Sequence, residues 1–134
     1  SVTIERCSMT KYVDGFVLVV PKGKAAEYEQ MAKEGRDSWM KHGALQYFEC
    51  QANDLTQQDD GNEKSRSFND TAGASEDEDV WFSFIVFESK EHRDEVNQKV
   101  MAEMDESYDE QSSFVMPFEM ARMAYGGFEV RVEG

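Results

Sequence analysis

The chain has 134 residues, of which 40% are hydrophobic and 12% aromatic, enough for the core of a single domain. Its 28 acidic residues outnumber its 14 basic ones, and the formal net charge of −14 disfavours nucleic acid and anionic membranes as partners, since both need a basic surface. No apolar stretch approaches the length of a membrane span, and Cys7 and Cys50 alone make no disulfide framework, so we expect a cytoplasmic protein.

The first strand is the most apolar part of the N-terminal region. Residues 1–8 have no apolar signal region and are predicted to be an extension that precedes a single domain at 9–134. Residues 16–20 are unbroken apolar and mostly β-branched, which is typical of a strand buried on both faces. Pro21 ends this strand because it has no N–H to donate. Asp14 and Gly15 stand at its entry.

A helix and a second strand follow. Apolar residues recur at three- and four-residue spacing from Ala25 to Trp39, which predicts an amphipathic helix that runs to about Lys41. His42 and Gly43 supply a C-terminal stop. Residues 44–51 then predict a second strand, less buried than the first, with Leu45, Tyr47 and Glu49 on one face.

Residues 53–79 differ in composition from the rest of the chain. This stretch has nine acidic residues and two basic ones, so we expect an acidic flexible loop. Its aspartates do not have the spacing of an EF-hand, so a solvated loop is favoured over a calcium site.

The C-terminal half repeats the pattern of the first. Residues 80–87 are apolar on both faces and predict a central strand. Ser89 is a candidate N-cap for a helix whose apolar stripe is Val96, Val100 and Met104. Residues 122–132 predict the last strand, in which Gly126 and Gly127 indicate a bulge or a close backbone approach.

The predicted order β-α-β-β-α-β is that of a ferredoxin-like α+β sandwich. Right-handed crossovers place the first and third strands in the middle of a four-stranded antiparallel sheet, in the order 4-1-3-2. Two helices cover only one face of such a sheet. Because the other face carries large apolar side chains, we expect a homodimer with its sheets face to face.

Several blocks of the sequence resemble, in matching order, the YbaA-like family of uncharacterised bacterial proteins. The resemblance covers roughly residues 9–129, and its strongest parts are the closing Met-Pro-Phe and Tyr-Gly-Gly-Phe blocks. It implies a dimeric α/β barrel, a superfamily that includes cofactor-free monooxygenases and lactone isomerases. The blocks are residues 12–16, 42–45, 49–50, 82–84, 89–91, 93–94, 116–118 and 122–128.

The candidate catalytic residues are Asp14, Arg122 and Tyr125. Strands one and four should be neighbours, so an acid could meet an arginine and a tyrosine at one end of the barrel, with Asp14 as a base whose pKa burial raises. The alternative interpretation, a buried structural ion pair, is favoured. Glu49 and Trp81 are candidate ligand-binding residues, and Trp81 belongs first to the core.

No metal site or cofactor is predicted, because His42 and His92 do not have metal-ligand spacing and no Gly-rich phosphate loop is present. Two functional classes remain open. The first is a small-molecule binder or a cofactor-independent enzyme, monooxygenase- or isomerase-like by fold analogy, for which a small apolar or aromatic ligand is expected. The second is a non-catalytic dimeric scaffold or interaction module.

Overall fold

The computed structural model describes residues 10–107 and 116–134. Four strands, β1 (Tyr12–Pro21), β2 (Gln46–Gln51), β3 (Glu78–Phe87) and β4 (Ala124–Glu129), form one antiparallel sheet in the order β2-β3-β1-β4. The helices are α1 (Ala25–Lys41), α2 (Phe68–Ala72) and α3 (Lys90–Ser107), and 3-10 turns occupy Lys22–Lys24 and Met120–Arg122. The predicted α+β class, the βαββαβ order and the central position of the first and third strands are confirmed.

Register fixes which side chains share a face of the sheet. Phe16 lies opposite Ser83 on β3 and opposite Tyr125 on β4, and Glu49 on β2 lies opposite Ser83. Residues directly opposite one another on neighbouring strands point to the same side of the sheet, so these four side chains share one face. We call it the helix face, since α1 and α3 cover it.

The core lies on the helix face in two parts. One part brings Leu18, Val20 and Trp81 of the sheet against Tyr28 and Ala32 of α1. The other brings sheet and loop residues against α3 and consists of Ala44, Ile85, Phe87, Val96 and Val100. Phe16 packs against both parts, and the two helices also contact each other.

The helix ends agree with the local sequence signals. Ser89 Oγ accepts a hydrogen bond from the His92 backbone N–H at 3.0 Å, which satisfies an otherwise free donor at the start of α3. His42 caps the C-terminus of α1, and Gly43 has the positive φ of 116° that favours glycine.

The stretch 53–79 holds more local structure than its composition indicates. Ser67 caps the N-terminus of the short helix α2, and Gly73 closes it with a positive φ of 71°. An isolated antiparallel β-bridge pairs the backbones of Asp59 and Lys64. The mobility of this stretch stays a prediction, and the predicted extension 1–8 lies outside the described residues.

Several predicted strand boundaries differ from the structure. β3 begins at Glu78 rather than at Val80, because Glu78 and Asp79 pair with the end of β1. β4 begins at Ala124, because Met120–Arg122 forms a 3-10 turn. The close approach expected at Gly126 and Gly127 is present: the ring of Tyr12 lies against Gly127 and leaves no room for a Cβ.

Candidate functional site

An apolar cavity of about 660 Å³ lies between the helix face and α1 and α3. Residues of both parts of the core line this cavity, which therefore lies between the two parts. Its walls are mainly aromatic and methionine side chains, which include Phe16, Tyr28, Met31, Trp39, Tyr47, Met101, Met104 and Phe118. A cavity of this size and lining suits a small organic ligand, for which about 300–1,000 Å³ is common.

Glu49 is a carboxylate in the wall of this helix-face cavity. The Tyr28 hydroxyl on α1 donates to Glu49 Oε2 at 2.8 Å, and the Tyr47 hydroxyl on β2 donates to Oε1 at 2.9 Å. Ser83, opposite Glu49 in the sheet, adds a side-chain hydrogen bond. The carboxylate is therefore held in one orientation by neutral hydroxyl groups. Gly35 on α1 permits this arrangement, since a Cβ there would lie 3.0 Å from the Tyr47 hydroxyl oxygen.

Burial dominates the electrostatics of this cluster. It raises the pKa of Glu49 above the usual value, although the hydrogen bonds from Tyr28, Tyr47 and Ser83 oppose the shift. Burial first, and the Glu49 charge next, also raise the pKa of both tyrosine hydroxyls. The hydroxyls therefore stay protonated as donors, while Glu49 has the character of a proton acceptor.

A second carboxylate, Glu103 of α3, lines the same cavity beside Ser38 of α1. Lys41 donates to it at 2.7 Å, His42 Nε2 lies 2.8 Å away and Ser38 donates at 2.8 Å. The bonds from Lys41, His42 and Ser38 lower the pKa of Glu103 to about 2. This cluster ties the end of α1 to α3.

Asp14 is only 1% exposed and lies on the helix face near α3. Arg93 of α3 pairs with it, with 2.6 Å between Arg93 Nη1 and Asp14 Oδ1, and Asn97 Nδ2 approaches the other oxygen at 3.4 Å. Arg93 also donates to the Tyr125 hydroxyl at 3.1 Å, and its guanidinium lies over the Tyr12 ring at 4.9 Å. The structure thus brings Asp14 and Tyr125 together through Arg93.

Arg122 lies elsewhere. Its guanidinium makes two hydrogen bonds to the Glu78 carboxylate, at 2.8 and 2.9 Å, and one to the Gly73 carbonyl at 2.7 Å. Register explains the separation: Asp14 pairs with Ile85, whereas Glu78 pairs with Pro21 at the opposite end of β1. The ion pair of Arg122 therefore fastens the stretch before β3.

Trp81 is a core residue that reaches the vicinity of Glu49. It is 3% exposed, and its ring meets the Tyr28 ring edge to face at 4.8 Å between centroids. Within the described residues, its indole Nε1 is buried and has no hydrogen-bond partner. Together with Glu49 it borders a smaller groove of about 280 Å³ between α1 and β2.

Sequence reasoning did not select Arg93, Tyr28 or Tyr47 as site residues. The sequence does contain a pattern that could have indicated Arg93. Arg93 and Asn97 lie four residues apart and therefore share one helix face, beside the apolar stripe of Val96 and Val100. Tyr28 falls on the predicted apolar stripe of α1, so its hydroxyl is not distinguished from core packing by periodicity.

The sheet face opposite α1 and α3, which we call the outer face, is apolar, and in the part of the chain that the structure describes several of its aromatic side chains are exposed. Phe48 stacks on Phe84 at 4.9 Å, and Phe82 adjoins Phe84 at 5.7 Å. Phe82 is 44% exposed and Phe128 is 61% exposed. A depression of about 620 Å³ is lined largely by outer-face residues.

The described residues contain neither a cluster that could bind a metal nor a helix that could span a membrane. In residues 10–107 and 116–134, no group of His, Cys, Asp and Glu side chains could hold a metal ion. None of the helices described there has both the length and the apolar character required to cross a membrane.

Comparison with known proteins gives consistent matches. A family model described as "Protein of unknown function (DUF1428)" matches residues 11–120. The chain is 43% identical over 119 residues to the uncharacterized protein YbaA of Escherichia coli strain K12, and equally to that of Shigella flexneri. In both cases the match covers 89% of this chain and 95% of the relative. The resemblance noted in the sequence is confirmed.

Proposed function

Because the chain belongs to the DUF1428 family, whose description names no function, we propose a function from the chemistry of its own site. The protein binds a small, mainly apolar ligand in the helix-face cavity, and Glu49 is the polar group that orients the ligand. The observation that supports this most directly is a carboxylate in the wall of an apolar cavity, held by two tyrosine hydroxyls. Such a pairing of apolar walls with few polar groups is common in ligand sites.

The same cluster suits proton transfer without a cofactor. A base must accept a proton within hydrogen-bond reach and have a pKa raised toward the working pH, and burial raises the pKa of Glu49 in this direction. If Glu49 removes a proton from carbon next to a carbonyl, the electron pair moves onto the carbonyl oxygen, to which Tyr28 or Tyr47 can donate. Return of the proton to another carbon gives an isomer and needs no oxidant. The isomerase-like alternative is therefore favoured over the monooxygenase-like one.

Asp14 is a weaker candidate for the base. Arg93 forms an ion pair with its carboxylate and Asn97 approaches the other oxygen, so a ligand would have to displace a cationic side chain to reach it. The hydroxyls that hold Glu49 are neutral. We therefore assign Asp14, Arg93 and Tyr125 to the support of the fold beside the cavity, and Glu49 to the ligand.

Ligand binding is tested with a cavity-blocking variant. Met101 lines the cavity from α3 and is 48% exposed, so Met101→Trp should narrow the opening without overpacking the core. Gln98→Trp, an exposed position on the same helix that does not line the cavity, is the matched control. We expect wild type and the control to bind the neutral apolar dye Nile red with a rise in fluorescence, and Met101→Trp to bind it at least about tenfold more weakly. Equal binding by all three, or none by wild type, would contradict the proposal.

We also propose that the outer face pairs with a second copy of this chain. Its aromatic side chains lie in water in the single chain, and the residues that line its depression carry no charge, although 31% of the chain is charged. Two copies that each carry a net charge of −14 repel one another, and a shared uncharged face is the surface on which they can meet. If the cavity binds nothing and the pairing holds, the non-catalytic dimeric scaffold is the better description.

A cytoplasmic setting remains part of the proposal. Cys50 is a free, exposed thiol, which suits a reducing compartment. The acidic net charge supports the expectation of no nucleic-acid or membrane partner.

A further inference from the structure

Glu49 differs from three other carboxylates of the fold that are buried or half-buried. Each of those three is bound to a cationic side chain within the described residues. These pairs are Asp14 with Arg93 at 2.6 Å, Glu78 with Arg122 at 2.8 Å, and Glu103 with Lys41 at 2.7 Å. Glu49 receives hydrogen bonds only from the hydroxyls of Tyr28, Tyr47 and Ser83, and no ion pair joins it to a cation in residues 10–107 and 116–134.

Two basic side chains of α1 lie in a groove that also contains Glu49, but not in the lining of the helix-face cavity. Lys33 and Arg36 border the smaller groove on the edge of β2, together with Glu49. Lys33 pairs with Glu29 at 3.4 Å, and Arg36 pairs with Asp37 at 3.0 Å. Neither lines the helix-face cavity, so a ligand there does not meet them.

The charged residues that the structure describes in the lining of the helix-face cavity are all acidic. Glu34, Glu49 and Glu103 belong to its lining, and among the described residues that line it there is no lysine, arginine or histidine. A carboxylate taken out of water without a counter-charge is unfavourable. The cavity therefore offers an anionic ligand no partner and offers a cation an unpaired carboxylate.

We propose that the ligand of this cavity is a hydrophobic amine, whose ammonium group supplies the cation that the fold does not give to Glu49. This deepens the proposed ligand binding and rests on it; it is an alternative to the proton transfer, because an ammonium group paired with Glu49 occupies the base. The rings of Tyr28, Trp39 and Tyr47 line the cavity and favour a cation near their faces. Met31, Met101 and Met104 supply adaptable apolar contacts for the body of the ligand.

Two further properties agree with an amine. Where the Glu49 carboxyl group is protonated in the free protein, it can transfer its proton to an uncharged amine. The products are the Glu49 carboxylate and an ammonium group, which form the same ion pair. The net charge of −14 also raises the local concentration of cations near the protein and lowers that of anions.

The test compares three probes with one apolar body and different charges: 2-phenylethylamine, 2-phenylethanol and 3-phenylpropanoate. Isothermal titration calorimetry at neutral pH and low salt should give the amine at least about tenfold tighter binding than the alcohol, with the carboxylate weakest. Glu49→Gln should remove the advantage of the amine over the alcohol. Glu95→Gln, which removes one exposed acidic charge of α3 outside the cavity, should keep that advantage.

Each other outcome overturns the inference. An amine that binds no tighter than the alcohol, or a carboxylate that binds best, shows that Glu49 does not select a cation. An advantage that persists in Glu49→Gln places the selection elsewhere. Because the wild-type comparison is decisive by itself, it stands even if Glu49→Gln does not fold. The proposed function fails separately, when Nile red does not bind the cavity; binding of the alcohol without preference for the amine leaves it intact.

Discussion

Two acidic side chains on the same face of one sheet have opposite environments here. Asp14 is bound to the permanent cation of Arg93, whereas Glu49 is surrounded by neutral hydroxyls in an apolar cavity. The first arrangement gives the carboxylate a cationic partner within the fold, and in the second burial raises the pKa of Glu49. Environment rather than residue type therefore decides which of the two is suited to proton transfer.

Glu49 should give the free energy of unfolding a characteristic dependence on pH. Its pKa in the folded protein is raised above the ordinary value of 4.5, so the folded state holds this proton more tightly than the unfolded state. Between those two pKa values the folded state carries more protons, and its stability falls as pH rises. Glu49→Gln has no carboxyl group at this position, so its free energy of unfolding does not fall in this way. We therefore expect the free energy of unfolding of Glu49→Gln to rise relative to that of wild type as the pH increases from the unfolded to the folded pKa of Glu49. Urea denaturation at a series of pH values measures the difference.

The exposed variant Glu95→Gln is the control for this measurement, since it also removes one carboxylate. Its stability curve should run parallel to that of wild type over the same window. Parallel curves for wild type and Glu49→Gln would show that burial does not shift the titration of Glu49.

The sequence could indicate the acids of the site but not their partners. Alternation on β2 places Tyr47 and Glu49 on one face, and this much follows from the pattern. The partner of Asp14 depends on register and on the rotation of α3, which bring Arg93 over the strand entry. Arg122 is predicted to begin the last strand, but it lies in the 3-10 turn before β4, and its partner Glu78 pairs with Pro21 at the other end of β1.

At the level of elements, a polar network fastens α3 to β1 next to the cavity. Arg93 and Asn97 of α3 both bond Asp14, and Asn97 Oδ1 also accepts from the indole N–H of Trp39 on α1 at 2.9 Å. Trp39 in turn lines the cavity. The network therefore links strand, both main helices and the cavity wall, and its loss should displace the helices.

Arg93→Met should test the strength of this link. It leaves the Asp14 charge buried without its cation, and breaking a buried pair in this way typically costs about 3–5 kcal/mol. Lys99→Met on the same helix breaks an exposed pair with Glu95 and should cost at most about 1 kcal/mol. The double variant Asp14→Asn with Arg93→Met should lose less than the sum of the single losses, since the unpaired charge is gone. Additive losses in urea denaturation would show that the two residues do not interact.

Most elements follow from local pattern. The predicted helix at 25–41 coincides with α1, because its apolar stripe and its glycine stop agree with the packing. The structure of the acidic stretch 53–79 is harder to predict from sequence. A helix as short as α2 depends on its caps at Ser67 and Gly73 and on the hydrogen bond from Arg122 to the Gly73 carbonyl. That bond joins residues far apart in sequence, so no local pattern could predict it.

At the scale of the molecule, the two faces of the sheet have different roles. The helix face is covered by α1 and α3 and contains the cavity with Glu49. On the outer face, Val19 and Val80 are buried at one end, whereas Phe82 and Phe128 lie in water. Exposed apolar surface is unfavourable by about 25 cal/mol per Å². A large patch of this kind is uncommon on a protein that remains a monomer.

The proposed pairing of outer faces predicts the mass of the particle in solution. Sedimentation equilibrium at micromolar concentration should give twice the chain mass of 15.4 kDa for wild type. Phe82→Glu places a charge in the centre of the apolar face, which a two-fold axis would double, so this variant should be a monomer with intact secondary structure by circular dichroism. Val132→Glu adds the same charge at a position that is 93% exposed and outside the sheet, and it should remain a dimer. A monomeric wild type, or a Phe82→Glu variant that stays dimeric, would exclude this face as the interface.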